Sequence, residues 1–200
     1  MKFLKENSYD IIKLYITQIG IAIFSFMIYT AAGMISKDST VSSTILVIVS
    51  LFSTGFFFAL LYCSAWEWGG KDKIRQDAGK TNISTLRGMF MSLWANALNF
   101  FLTCATMICA AVCMNTRGGF AETFGGLCGV LYRFTAMMYH GIVRVISLAI
   151  TAADQPSFWF TEAAGFFICS LLCVVATQFG YIMGRNEKKI FNFKSNKKYE

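Results

Sequence analysis

Charge is sparse in this sequence and proline nearly absent. Asp, Glu, Lys and Arg together make up 14% of its 200 residues, against roughly a quarter in an ordinary soluble domain. A disordered chain is excluded, because disorder needs low hydrophobicity and dense charge. There is one proline, Pro156, and one histidine, His140. Enzyme signatures are missing as well: no H-E-x-x-H, no G-x-S-x-G and no P-loop occurs. What fills the chain instead is apolar. Hydrophobic residues account for 56% and aromatics for 16%, including 20 Phe. A soluble globule of this composition would leave large apolar patches in water. The composition therefore predicts an all-α integral membrane protein, with no enzymatic activity and no cofactor.

Uncharged runs give the spans, since a helix needs about 20 apolar residues to cross a bilayer. Four stretches qualify: 14–35, 44–66, 88–114 and 163–184. Between the last two lies 123–150, which is apolar but carries Arg133, His140 and Arg144. If that segment does not cross, one side receives 14 of the 18 basic residues, including those of the tail 185–200. If it does cross, the two sides hold equal numbers. Only the first arrangement follows the preference for Lys and Arg in cytoplasmic loops. The reading is thus one polytopic domain, 1–200, in the cell membrane, with both termini cytoplasmic. Trp66, Trp68 and Trp94 then fall at the inner boundary and Trp159 at the outer one, where amphipathic rings prefer to lie. Pro156 is placed in the outer loop. The first apolar run is too long for a signal-peptide core, so an uncleaved first helix is expected. Asn82-Ile83-Ser84 matches a glycosylation sequon, but on the cytoplasmic side. The net charge of +7 is spread by topology instead of gathered on a face, which argues against nucleic acid; the basic tail suits anionic lipid.

On a helix, Arg133, Met137, His140, Arg144 and Ser147 share one stripe. The segment 123–150 is therefore expected to be an amphipathic or re-entrant helix on the outer side, with its cations toward headgroups or water. Gly125 and Gly129 form a GxxxG pair that permits close helix approach. The functional alternative is that Arg133, His140 and Arg144 contact an anion, because charge kept inside a membrane is costly. No acidic residue lies within a helical turn of His140, and none lies inside the four spans as drawn.

Seven cysteines raise redox chemistry, but none forms a C-x-x-C. Cys109 and Cys113 follow Ala105 at intervals of four, and Gly165, Cys169, Cys173 and Thr177 do the same in the last span. Small residues at that interval let membrane helices approach. The third and fourth spans are expected to pack through these two stripes. An interhelix disulfide between Cys104 and Cys169 is compatible with their depths; zinc lacks a ligand set, so no metal is expected. Gln18, Asn96, Asn99 and Gln178 read as interhelix hydrogen bonds first and as substrate contacts second.

The stretch 66–80 is short, rich in charge of both signs and broken by glycine. Gly69-Gly70 is expected to end the second span, and Asp72 with Arg75, or Lys73 with Asp77, to pair across one turn. Trp66, Trp68, Gly69, Lys71, Asp72 and Arg75 make a candidate docking loop for a partner protein. Trp66, Gly69, Lys71, Asp72, Arg75 and Gly79, with Arg87-Gly88 and Tyr132-Arg133, resemble a group of uncharacterised four-span bacterial membrane proteins. In that group a Trp-x-x-Gly-x-Lys/Arg-Asp pattern links the second and third spans. The resemblance implies the fold and no activity.

Three functions stay in play. The first is a non-enzymatic membrane subunit that binds a partner and supports transport, export or immunity, as a homo- or hetero-oligomer. The second is a small pore or carrier for an anionic solute. The third is a membrane thiol oxidoreductase.

Overall fold

The computed structural model describes residues 2–35, 39–79, 84–115, 119–153 and 155–187. They form helices and turns, with no strand among the described residues. The order is α1 (Lys2–Ile35), α2 (Ser39–Asp77), α3 (Arg87–Ala95), α4 (Ala97–Asn115), α5 (Phe120–Thr135), a 3-10 turn (Met137–Tyr139), α6 (His140–Ile150) and α7 (Pro156–Arg185). Four helices are long and apolar enough to cross a membrane. Between 22 and 39% of each apolar window is buried inside the protein, so most of its apolar surface faces lipid. Ile48, Leu51, Phe52 and Phe56 on α2 are examples of such exposed side chains.

Contacts fix the directions. Asn7 near the start of α1, Asp72 near the end of α2 and Arg87 at the start of α3 meet at one end of the bundle. Arg185, at the end of α7, joins the same end through Thr85 and Gln76. This will be called the basic end. The described start and finish of the chain therefore lie together, as an even number of crossings requires. Most of the basic tail lies outside the described residues.

α7 is the central element, packed on α2, α3, α4 and α6. It runs parallel to α2, and glycine brings the two together at the basic end. A Cβ on Gly180 would stand 2.8 Å from the Tyr62 carbonyl oxygen. On Gly184 it would overlap the Trp66 carbonyl, and on Gly69 the Tyr181 carbonyl. Backbones approach this closely only where side chains are absent, which supplies packing that lipid tails would not otherwise drive. The expected break at Gly69-Gly70 does not occur. α2 continues through both residues because its glycine face is occupied by α7.

Two other boundaries shift. The third span is interrupted at Asn96, whose side chain donates to the Ser92 carbonyl at 3.1 Å, so its bond stays local instead of crossing to another helix. Pro156 opens α7 instead of sitting in the loop, a position where proline's fixed φ and missing N–H suit a helix. With that start, Glu162 belongs to the helix.

Segment 123–150 goes in and comes back. α5 runs antiparallel to α4: Gly125 faces Cys109 near the far end, and Thr135 donates to Asn99 at 2.8 Å deeper in. The chain then breaks over 136–139 and returns as α6, where Gly141 lies on Leu46 and Ser50 of α2 and Gly165 of α7 lies on Val143. At the turning point Tyr139 touches Cys173, with its hydroxyl 2.7 Å from Sγ. Counting along α7 at 1.5 Å per residue, that is about 25 Å from the helix start. The α5–α6 segment is therefore a re-entrant wedge that parts α2 and α7 at the far end and reaches past mid-depth. Broken backbone at such depth needs polar partners inside the protein. α2 supplies them: Thr54 donates to the Met138 carbonyl at 3.1 Å, and Ser50 accepts the Gly141 N–H at 2.8 Å.

Candidate functional site

Two buried polar clusters stand out. At the basic end, Asp72 is 2% exposed and is gripped through both carboxylate oxygens by the Arg87 guanidinium, at 2.5 Å each. Tyr181 donates its hydroxyl to the same carboxylate at 2.9 Å. Arg87 also donates to the Asn7 side-chain carbonyl at 2.8 Å and lies 3.8 Å from Asp10. Gly88 leaves the room that the Tyr181 side chain fills; a Cβ there would stand 2.8 Å from it. Gln178 completes the join, accepting from the Met89 N–H at 2.8 Å and donating to the Thr85 carbonyl at 3.0 Å. A buried guanidinium–carboxylate pair survives only when its spare donors and lone pairs are also met. Here they are, so this cluster clasps α1, α2, α3 and α7 together.

That geometry corrects the docking loop. Asp72 is internal, Trp68 is 6% exposed and belongs to the core, and Gly69 is pressed against α7. These residues, with Trp66 whose carbonyl meets Gly184, hold the protein together. Only Lys71 and Arg75 of the expected set face outward. Arg75 lies 3.9 Å from Asp72, one turn away, as the spacing suggests. Lys71 pairs with Glu67 at 2.6 Å and Lys73 with Glu187 at 2.9 Å, so Lys73 takes a partner on α7's exit instead of Asp77.

The second cluster sits in the re-entrant wedge. Glu162, on α7, is 1% exposed. The Arg133 guanidinium of α5 pairs with it in fork fashion, through Nη2 and through Nε at 3.2 Å. His140, the first residue of α6, brings Nδ1 to 3.7 Å from a Glu162 oxygen. The Tyr132 ring packs tilted against Phe166 at 4.8 Å, one turn beyond Glu162, and Tyr29 of α1 meets the His140 ring edge-on at 5.8 Å. Counted from the start of α7, Glu162 lies about 9 Å along the helix. Two side-chain atoms here are buried without a hydrogen-bond partner, the Tyr132 hydroxyl and His140 Nδ1. Arg133 keeps a third of its side chain exposed, so this cluster, unlike the clasp, is open on one flank.

The expected stripe of Arg133, His140, Arg144 and Ser147 is split by the break and turned inward. Arg133, His140 and Ser147 face the bundle, and Arg144 alone is exposed. Cations facing headgroups are thus the exception. The missed residue is Glu162. Beginning the last span at residue 163 placed it outside, and sequence distance from His140 concealed a contact made across two elements. A boundary proline at 156 was the available signal that the helix starts earlier.

The small-residue stripes pack, but not on one another as expected. Cys109 faces Gly125, Gly165 faces Val143, Cys173 meets Tyr139, and Thr177 donates to Ser92 of α3 at 3.3 Å. They accommodate the wedge and α3. Across the α4–α7 contact it is Phe100 that meets Phe167, at 5.3 Å. All seven cysteines are free thiols, Cys104 and Cys169 among them.

No family model, curated protein or solved structure matches this chain.

Proposed function

We propose that this protein is a non-enzymatic membrane transport component for a small anionic solute, with the re-entrant wedge as its working part. One observation carries the reading: Glu162, Arg133 and His140 meet inside the bundle at a broken helical segment. Ionisable groups at membrane depth are expensive, and broken backbone there is tolerated where it lines a polar site. The accessible charge favours an anion, since the Arg133 side chain is part-exposed while Glu162 is sealed. On this reading the termini are cytoplasmic, the host is the cell membrane, and further copies or other subunits complete the assembly. Membership of the four-span group that the chain resembles is part of the same proposal.

The test is flux. Full-length protein in phosphatidylcholine/phosphatidylglycerol vesicles should release trapped nitrate faster than empty vesicles, and Arg133→Gln should cut that rate at least tenfold. Equal rates in wild type and variant would remove the reading.

A second reading, a subunit docking a cytosolic partner, rests on the exposed charges of Glu67, Lys71 and Arg75 at the basic end. Crosslinking in native membranes should then trap a partner that Lys71→Ala with Arg75→Ala releases.

A further inference from the structure

Resting on the anion reading above, we propose that the wedge site binds a monovalent anion together with one proton: the anion seats on Arg133 as Glu162 takes up the proton. The two partners of the ion pair differ in access. Glu162 is sealed at 1% exposure, while the Arg133 side chain is 34% exposed. On this proposal the open flank of Arg133 faces water, so that an anion reaches the guanidinium without first displacing the carboxylate. Its arrival puts two negative charges on one cation in a poorly hydrated place, and such pairs do not both stay ionised. Proton uptake by Glu162 restores the balance. Before binding, the site holds Arg133 cationic and Glu162 anionic. Afterwards it holds the Arg133 cation, the bound anion and a neutral carboxylic acid. One proton and one anion enter from solvent, no bond in the solute breaks, and the net charge of the site does not change.

The two unpartnered atoms fit the loaded state and not the empty one. A protonated Glu162 needs an acceptor, and His140 Nδ1, 3.7 Å away and without a partner, offers one in the tautomer protonated on Nε2. An anion on Arg133 needs a second donor, and the buried Tyr132 hydroxyl beside that guanidinium has an O–H that no acceptor holds. A fully matched Arg–Glu pair would leave both atoms with no role. The charged and titratable groups around Glu162, among the described residues, are Arg133 and Tyr132 from α5 and His140 and Arg144 from α6, with Tyr29 of α1 behind the imidazole.

The experiment uses the purified full-length protein in weakly buffered detergent. It is titrated with sodium nitrate, chloride and methanesulfonate, anions of strong acids that bring no proton of their own. With at least one of them, wild type should take up close to one proton per chain at saturation. Its apparent Kd should rise about tenfold per pH unit while Glu162 is ionised in the free protein, as one-for-one linkage demands. Glu162→Gln, a stand-in for the protonated acid, should bind the anion with no proton uptake and a flat pH profile, and the anion should raise its thermal midpoint. Arg133→Gln should do neither. Tyr132→Phe should weaken binding severalfold and leave the proton count unchanged. Anion binding by wild type without proton uptake overturns the linkage but leaves the anion reading standing. A correctly folded Glu162→Gln that still takes up the proton, or that does not bind, also overturns it. No binding by any probe, together with no flux, overturns both.

Discussion

At the scale of single residues, the two ion pairs predict different mutational behaviour. Asp72 and Arg87 are matched in every direction, by Tyr181, Asn7 and Asp10. Removing one partner leaves the other charged and buried, which costs about 3 kcal/mol or more. Asp72→Ala should therefore lower the thermal midpoint in detergent by roughly 10 °C, on the scaling of a 200-residue protein. The double variant with Arg87→Ala should lose much less than the two single losses combined, the mark of a direct pair. Tyr181→Phe removes a hydrogen bond to a charged acceptor and should cost about 2 kcal/mol. Equal, additive losses at Asp72 and Arg87 would mean that the clasp is a proximity and not an interaction. The Trp66, Gly69, Asp72 and Arg87-Gly88 pattern was readable as a pattern. That its members converge was not, because a separation of 15 residues leaves open whether Asp72 and Arg87 meet.

Among the elements, the re-entrant wedge depends on one glycine. A Cβ on Gly141 would overlap the Leu46 carbonyl and the Ser50 hydroxyl of α2. Neither the backbone of a long helix nor a hydroxyl already bonded to the Gly141 N–H can yield cheaply. Gly141→Ala should destabilise by about 1–3 kcal/mol, the usual cost of overpacking. Gly126→Ala, with nothing within 4 Å of the added carbon, should be neutral or slightly stabilising. Unfolding scans on the two variants check this, and matching midpoints would say that α6 does not seat on α2 here. Ser50→Ala with Thr54→Val should strip the break of both its outside partners and expose 136–140 to faster amide exchange, with α4 unaffected. The amphipathic stripe in 123–150 was visible from spacing. Its inward turn was not, since a polar stripe fits headgroups and a buried carboxylate equally well until Glu162 is placed beside it.

For the whole molecule, the contacts demand that residues near 7, 84 and 187 share one end, with Gly119 and Ala152 near the other. Single cysteines at Ser8, Ser84 and Asn186, in a background lacking the native seven, should label with an impermeant maleimide from one side of the membrane. Cysteines at Gly119 and Ala152 should label from the opposite side. On the proposed orientation, the first group labels from the cytoplasmic side. Labelling of 84 and 186 from different faces would require an odd number of crossings between them and would dismantle the re-entrant reading.

The sequence by itself determined the class of protein, its long apolar runs and the return of the described start and finish to one end of the bundle. Each of these follows from transfer free energy summed over many residues, and such sums do not depend on who packs against whom. Tertiary structure alone decided that α2 runs unbroken through Gly69-Gly70, that Asp72 is a clasp and not a handle, and that Glu162 completes a site with Arg133 and His140. Those outcomes turn on single approaches between distant segments. A glycine ends a helix or admits a neighbour, and a carboxylate is solvated or paired, according to which backbone arrives beside it.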